Sequence, residues 1–318
     1  GRRGVRAGLG RGQMGAGHPG RRARHHRYGD DRCASAHPGH AVAAAGCRAG
    51  YSERAQGRDY RMTATLPRFS IITPSLNQAR FIRQTIESLL SQDYPDIEYI
   101  VMDGGSTDST LEILREYGDR LQWISEKDEG QADAINKGIQ RATGELIGFI
   151  NSDDYLLPGA LRIAAERLLE APERKWLTGD YVIIDQQGQP IQPFTVLYKR
   201  LYRKLSSPTV LAFTNYIVQP STFWKREVHD EIGYLDKSLR YTFDYDFWMR
   251  LMRFQQPFCV SRPLSAFRIH PGSKGGSEYK AQFHEELEVL KRYSYNSLIY
   301  PLHKMHNELI VFLYRRLK

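Results

Sequence analysis

The chain has 318 residues, 41% of them hydrophobic and 25% charged, enough for one large or two small soluble domains with a full core. No run approaches the roughly 18 apolar residues of a membrane span, so any membrane contact is expected to be peripheral. The net charge of +9 suits a nucleic-acid partner, but residues 1–61 carry all of it, with 13 Arg against 4 acidic residues. Residues 62–318 balance at 32 basic and 32 acidic.

Residues 1–61 also hold 13 of the 27 Gly and five of the ten His, with no Ile, Phe, Trp, Asn or Thr. Such a composition buries too little apolar surface to offset ordering, so the segment reads as disordered. It reads as translated GC-rich upstream DNA, with Met62 as the start, in preference to a basic RNA-binding arm, and no nucleic-acid partner is expected. "AVAAAGC" is too short and too weakly apolar for a signal-peptide core. Cys33, Cys47 and Cys259 lack metal-type spacing, which fits a reducing cytosol.

From residue 66 the texture changes. "FSIIT" (69–73) is a strand ending in the turn signal Pro74, Ser75, Leu76, Asn77. Ile82, Ile86, Leu89 and Leu90 follow at helical spacing and predict a helix over 79–92. "IEYIVM" (97–102) is a strand, "DGGSTD" a loop, and Leu111, Ile113 and Leu114 lie in a second helix. "LQWIS" (121–125), a helix over 131–142 and "LIGFI" (146–150) repeat the unit. Strands alternating with helices predict a mainly parallel α/β sheet with helices on both faces. Beyond residue 158, "ALRIAAERLL" is a helix, "WLTGDYVIID" a strand and "QQGQP" a hairpin turn. "YKRLYRKLSSP" reads as a mobile basic and aromatic segment over a cleft. "DFWMRLMRF" (246–254) is a helix, and 278–318 looks helical with an apolar, basic end. The expected layout is a main domain over 66–272 and a helical C-terminal extension over 273–318.

Ligands of such sheets bind beyond the carboxyl ends of the strands. Three polar loops sit there: Pro74 to Asn77, Asp103 to Asp108, and Asn151 to Asp154. In "FINSDDYLLP", adjacent Asp153 and Asp154 repel unless met by water, donors or a cation; they read either as an open Mg²⁺ or Mn²⁺ site or as a helix cap. The glycines of "DGGSTD" allow close backbone approach, with Asp108 either accepting from a ligand or capping the next helix. Neither a P-loop nor a Gly-x-Gly-x-x-Gly fingerprint is present. Asp244 in "TFDYDFWMR" could act as a general base, with Asp246 the alternative and N-capping the bland reading of both. His270 in "FRIHPGS" is a ligand or a structural histidine.

Four blocks, in order, resemble the inverting family 2 nucleotide-sugar glycosyltransferases of the GT-A fold: "SIITPSLNQARFIRQTIESLLSQ", "IVMDGGSTDST", "SEKDEGQADAINKGIQRATGELIGFINSDD" and "FDYDFWMRL". The resemblance covers residues 69 to about 270. It implies nucleotide contacts from Pro74, Ser75, Asp103, Asp133 and Asp153. It implies a Mn²⁺ or Mg²⁺ ion held by Asp154, with Asp153 and His270 beside it, as a variant of the DxD motif, and Asp244 as base. Phe243 replaces the usual Glu of a Glu-Asp pair. Gly104 stands where many members carry a second, base-reading Asp, and Leu76 where Tyr often stacks on the base. The donor implied is a UDP or dTDP sugar.

The chain lacks the Gln-x-x-Arg-Trp motif and membrane spans of processive synthases, so one sugar per encounter is expected, with inversion. The acceptor expected is a saccharide or lipid-linked saccharide facing Lys199, Arg200, Arg203 and Lys204, interleaved with Tyr198 and Tyr202. The setting implied is surface polysaccharide or glycolipid synthesis in the cytoplasm, at the inner face of the plasma membrane if the C-terminal helix lies on it. The rival readings are a sugar-nucleotide binding protein without catalysis and a metal-dependent phosphohydrolase.

Overall fold

The computed structural model describes residues 65–274, 278–293 and 298–317, the last without the side chains beyond 312. The readings of residues 1–61 and Met62 lie outside the described residues. The first half of the described chain runs β1 (Phe69–Ser75), α1 (Ile82–Leu90), β2 (Ile97–Asp103), α2 (Thr110–Glu116), β3 (Gln122–Ser125), α3 (Gln131–Arg141), β4 (Leu146–Phe149), β5 (Tyr155–Leu156) and α4 (Ala160–Glu170). There follow β6 (Trp176–Ile184), β7 (Pro190–Ile191), α5 (Pro193–Lys204), α6 (Pro208–Phe213), β8 (Thr222–Lys225), α7 (Val228–Ile232), α8 (Phe243–Phe254), β9 (Phe258–Arg268), α9 (Tyr279–Lys291) and α10 (Ile299–Leu317).

One sheet takes the order β3-β2-β1-β4-β8-β6-β9-β5, with β7 paired to β6. It is parallel from β3 through β4. Beyond that it is mixed, because β8 runs antiparallel to both β4 and β6, whereas β6 and β9 are parallel. The continuous apolar character of β1 and β2 follows from burial on both faces. Ile72, Ile100 and Met102 pack with α3, whereas Phe69, Ile71, Tyr99 and Val101 pack with α1 on the opposite side. The first core extends to Trp176, Trp224 and Trp248, which anchor α8; the Trp176 and Trp248 rings stack at 6.0 Å with 4° between planes.

The helix expected over 79–92 spans only Ile82–Leu90. Asn77 takes a positive φ of 54°, and its side-chain oxygen accepts from the Thr107 N–H at 2.8 Å, so the preceding residues belong to a turn stapled to the next loop. A second correction concerns the segment read as mobile. It is helix α5, packed on β6 and β9, with Arg200 and Arg203 both paired to Asp180, a residue with no solvent exposure. A buried carboxylate needs such partners, so the pairs that satisfy Asp180 also fix α5.

Candidate active site

A cleft of about 550 Å³ opens beyond the carboxyl ends of β1 and β4, within the size range of small-ligand sites. Its walls include Pro74, Ser75 and Leu76 from the β1 loop, and Asp128 to Gln131 at the start of α3. Asn151, Ser152 and Asp153 come from the β4 loop, Lys237 to Arg240 from the approach to α8, and Gly272 to Lys274 from beyond β9.

The loops are rigidly tied. Asp103 is buried, and its Oδ2 accepts from Ser106 N at 2.9 Å, Gly105 N at 3.1 Å and Ser125 Oγ at 2.7 Å. The loop turns at Gly105, whose φ of +88° favours glycine. Asp108 bonds the backbone N–H groups of Ala79 and Thr110. Burial opposes its charge, but these bonds hold it below the usual carboxylate range. Asp108 thus stands one residue before the Ser109 N-cap of α2, tying the start of that helix to the β1 loop.

The two acids of the β4 loop point to different places. Asp153 lines the cleft, and its Oδ2 lies 3.1 Å from His270 Nε2. The Gly272 N–H donates to His270 Nδ1 at 3.2 Å, which leaves the ring proton on Nε2, directed at Asp153. Asp154 is 1% exposed. Its Oδ1 accepts the Arg268 N–H at 2.8 Å and its Oδ2 the Asn151 amide at 3.2 Å. Burial, and next the charge of Asp153, push it well above the usual carboxylate range. Asp154, the expected metal ligand, lies behind the cleft wall with both oxygens engaged.

Two further expected nucleotide contacts, Asp103 and Asp133, do not line the cleft. Asp103 bonds its own loop and Ser125 at the end of β3. Asp133, on α3, bonds Lys237 of the cleft wall at 3.1 Å and Lys137 at 3.3 Å. Burial opposes its charge, but the Glu129 N–H and these ammonium groups keep it below the usual range. Pro74, Ser75 and Asp153 do line the cleft.

Arg268 was not singled out from sequence. It is 2% exposed, and donates from Nε to the Asp153 carbonyl at 2.8 Å, from Nη1 to the Asp185 carbonyl at 3.0 Å and from Nη2 to Gln84 Oε1 at 2.6 Å, with Phe81 beneath it. It stands two residues before His270, a spacing that sets both on one face of an extended chain. Also missed were Lys237, Arg240 and Lys274, which give one wall of the cleft a cationic edge. Lys274 Nζ bonds Gln131 Oε1 and the Arg240 carbonyl, both at 2.8 Å. Asp128 is another. Its Oδ2 occupies the space that a Cβ on Gly104 would enter, at 2.5 Å, so the missing side chain admits this carboxylate to the cleft.

Asp244 stands in the first turn of α8, outside the cleft lining, half-buried and with its Oδ1 on the Tyr245 N–H at 2.7 Å. Burial pushes it up to about 6, with the Lys199 ammonium opposing. Asp246 is fully committed elsewhere, to Arg250 at 3.0 Å and the Tyr293 hydroxyl at 2.8 Å. Of the two acids, only Asp244 keeps an oxygen that bonds no other side chain among the described residues.

No group of three or more His, Cys, Asp or Glu side chains that could hold a metal ion is found among the described residues. The Asp153 carboxylate at the cleft, with the His270 imidazole 3.1 Å from it, fits a hard divalent ion that takes most of its ligands from water and substrate phosphates.

Residues 70–233 match the family model described as glycosyl transferase family 2. The chain is 27% identical over 265 residues to an uncharacterized glycosyltransferase of Rickettsia typhi, covering 77% of this chain and 80% of that protein. Against four further rickettsial relatives it spans only 34% to 64% of their length. It is 36% identical over 137 residues to a putative teichuronic acid biosynthesis glycosyltransferase of Bacillus subtilis, 42% of this chain and 54% of that one. Among solved structures, a mannosyltransferase from Pyrobaculum calidifontis in complex with GDP-Man and Mn²⁺ superimposes with a TM-score of 0.59 at 19% identity, over 76% of this chain and 69% of that one. At that identity the likeness speaks for the fold, which is GT-A.

Proposed function

We propose, on the premise that the chain belongs to glycosyl transferase family 2, that its cleft takes a sugar nucleotide and that Asp244 activates the acceptor hydroxyl for a single inverting displacement. The carrying observation is Asp244 itself: it is the acid of its helical turn with an oxygen to spare, and burial raises it to about 6. A carboxylate so raised is a stronger base than an exposed one yet ionised at neutral pH, and a base so placed contributes about 10² to 10⁴ in rate. Attack from the side opposite the leaving diphosphate needs no nucleophile on the protein. One base therefore suffices.

Lys237, Arg240 and Lys274 give the diphosphate a cationic wall, and Pro74 and Ser75 present backbone toward the nucleoside. Asp153 and His270 would hold a Mn²⁺ or Mg²⁺ ion. When bound, that ion supplies charge neutralisation on the leaving diphosphate. The donor class is a UDP or dTDP sugar, and the acceptor is a saccharide or lipid-linked saccharide. The relative named for teichuronic acid biosynthesis supports a place in surface polysaccharide or glycolipid assembly. Transfer is non-processive, one sugar per encounter.

The test is turnover of a nucleotide-sugar panel with Mn²⁺ and saccharide acceptors, the product's anomeric configuration being read by NMR. A new glycoside of inverted configuration is expected. Free sugar alone would favour a hydrolase, retention would remove the single displacement, and donor binding without any product would favour a binding protein.

A further inference from the structure

Helix α8 borrows its cap from another helix. Its N-cap residue, Thr242, makes no side-chain cap bond of its own, and the acceptor for the chain that leads into α8 comes from Glu285 of α9. Glu285 Oε2 accepts the Tyr241 N–H at 2.7 Å, the Thr242 N–H at 2.8 Å and the Thr242 hydroxyl at 2.8 Å, while Oε1 accepts the Arg240 N–H at 2.9 Å. Three consecutive amides thus converge on one carboxylate. Burial opposes its charge, but these donors hold it below the usual carboxylate range, so the clamp is ionised at neutral pH. Two turns on along the same face of α9, Arg292 bonds Asp236 at 2.6 Å, and between them Val289 packs into the core. The segment from Asp236 to Thr242, which carries Lys237 and Arg240 of the cleft wall, is therefore pinned to α9 at both ends.

We propose, resting on the reading of Asp244 as the base, that Glu285 is a positioning residue for transfer: by clamping residues 240–242 it sets where the Asp244 carboxylate stands relative to the cleft. Asp244 follows Thr242 by two residues, in the first turn of α8. Its Oδ1 accepts from the Tyr245 N–H and it bonds no other side chain among the described residues, so its place is fixed by the backbone that carries it. A shift of the clamped amides moves the base directly. Arg240 is the first of those amides and also part of the cleft wall. One side chain of the C-terminal extension thus sets the spacing between the donor's wall and the base, the gap that an acceptor hydroxyl has to fit.

A purely structural role for Glu285 is the competing account, and the rest of α8 argues against it. The body of that helix is held independently, by the Trp176 and Trp248 stack and by the Tyr293 hydroxyl on Asp246. Loss of Glu285 should therefore loosen residues 240–244 and leave the helix in place. Misplacing a reacting group by about 1 Å can cost about 10² in rate. Gln at this position keeps one oxygen to accept from the amides but sets an N–H group against the others, so its effect should fall between those of Glu and Ala.

The full chain is compared with Glu285→Ala, Glu285→Gln, Asp244→Asn and the double variant Glu285→Ala, Asp244→Asn. Hydrogen exchange is followed by mass spectrometry over residues 238–246, binding of UDP with Mn²⁺ by calorimetry, and kcat with the donor and acceptor that the nucleotide-sugar panel selects. Glu285→Ala should speed exchange at residues 240–242 and lower kcat about tenfold or more, while UDP affinity moves far less. Glu285→Gln should show the same effects at smaller size, and it carries the comparison if the Ala variant folds poorly. In the Asp244→Asn background Glu285→Ala should cost little further, because its effect passes through that carboxylate. Wild-type exchange and kcat in Glu285→Ala overturn the proposal. So does a full tenfold loss added on top of Asp244→Asn, which would mean that Glu285 acts elsewhere. An unchanged kcat in Asp244→Asn alone removes the base reading, and the positioning role with it.

Discussion

The backbone N–H of Arg268 donates to the Asp154 carboxylate at 2.8 Å, so the end of β9 holds the acidic β4 loop through a side chain whose two oxygens are both engaged. Asp153, one residue earlier, faces the cleft and His270. The pair of acids thus splits into one that holds the loop and one that faces the cleft.

That split is testable by calorimetry. Asp153→Asn should lower Mn²⁺-dependent donor affinity about tenfold or more and barely move the thermal midpoint. Asp154→Asn should keep the affinity but lose about 1–3 kcal/mol of stability, because its amide opposes the Asn151 amide at the buried Oδ2 position. Loss of metal-dependent binding in Asp154→Asn alone would reverse the assignment.

Asp244→Asn should lower kcat by about 10² or more with donor affinity intact. In the wild type, kcat should fall as pH drops through about 6, since the base must be ionised. For stability the sign is opposite to that of a salt-bridged acid. A carboxylate raised in the fold costs stability that grows as pH rises from its unfolded value toward about 6, so Asp244→Asn should match or exceed the wild-type midpoint at pH 7. An acid-side limb of kcat that persists in Asp244→Asn would assign it to another group.

Asp246→Ala provides the contrast. It leaves Arg250 and the Tyr293 hydroxyl without their carboxylate, and leaving such donors unpaired costs about 1–3 kcal/mol. Thermal denaturation should show a large loss, with activity per folded molecule retained at low temperature.

Gly104→Ala probes the carboxylate that fills the glycine's place. A Cβ there meets Asp128 Oδ2 at 2.5 Å, so the flexible side chain must swing away while the fold stays intact. Donor affinity should weaken severalfold with little change in thermal midpoint, and Asp128→Asn should weaken the same ligands. An unchanged affinity in both variants would show that Asp128 does not contact the donor.

The alternation of short apolar runs with helical spacing made the β1 to β4 half of the fold legible from residues 69 to 150, because each element buries its face against its sequence neighbours. The loops at the strand ends were legible for the same reason: polar residues placed immediately after a buried strand have to stand at its mouth. The basic run of α5 was misread as mobile because its anchor, Asp180, lies on a strand that gives no sign in sequence of facing that helix. What sequence could not decide is which member of each acidic pair the rest of the fold ties down. Asp153 and Asp154 are chemically identical neighbours, as are Asp244 and Asp246 two residues apart, so propensity and spacing treat them alike. Only the tertiary structure distinguishes them. It brings the Arg268 N–H, from 114 residues away, to Asp154, and Tyr293, from 47 residues away, to Asp246. Asp153 instead faces the cleft beside His270, and Asp244 bonds no other side chain among the described residues.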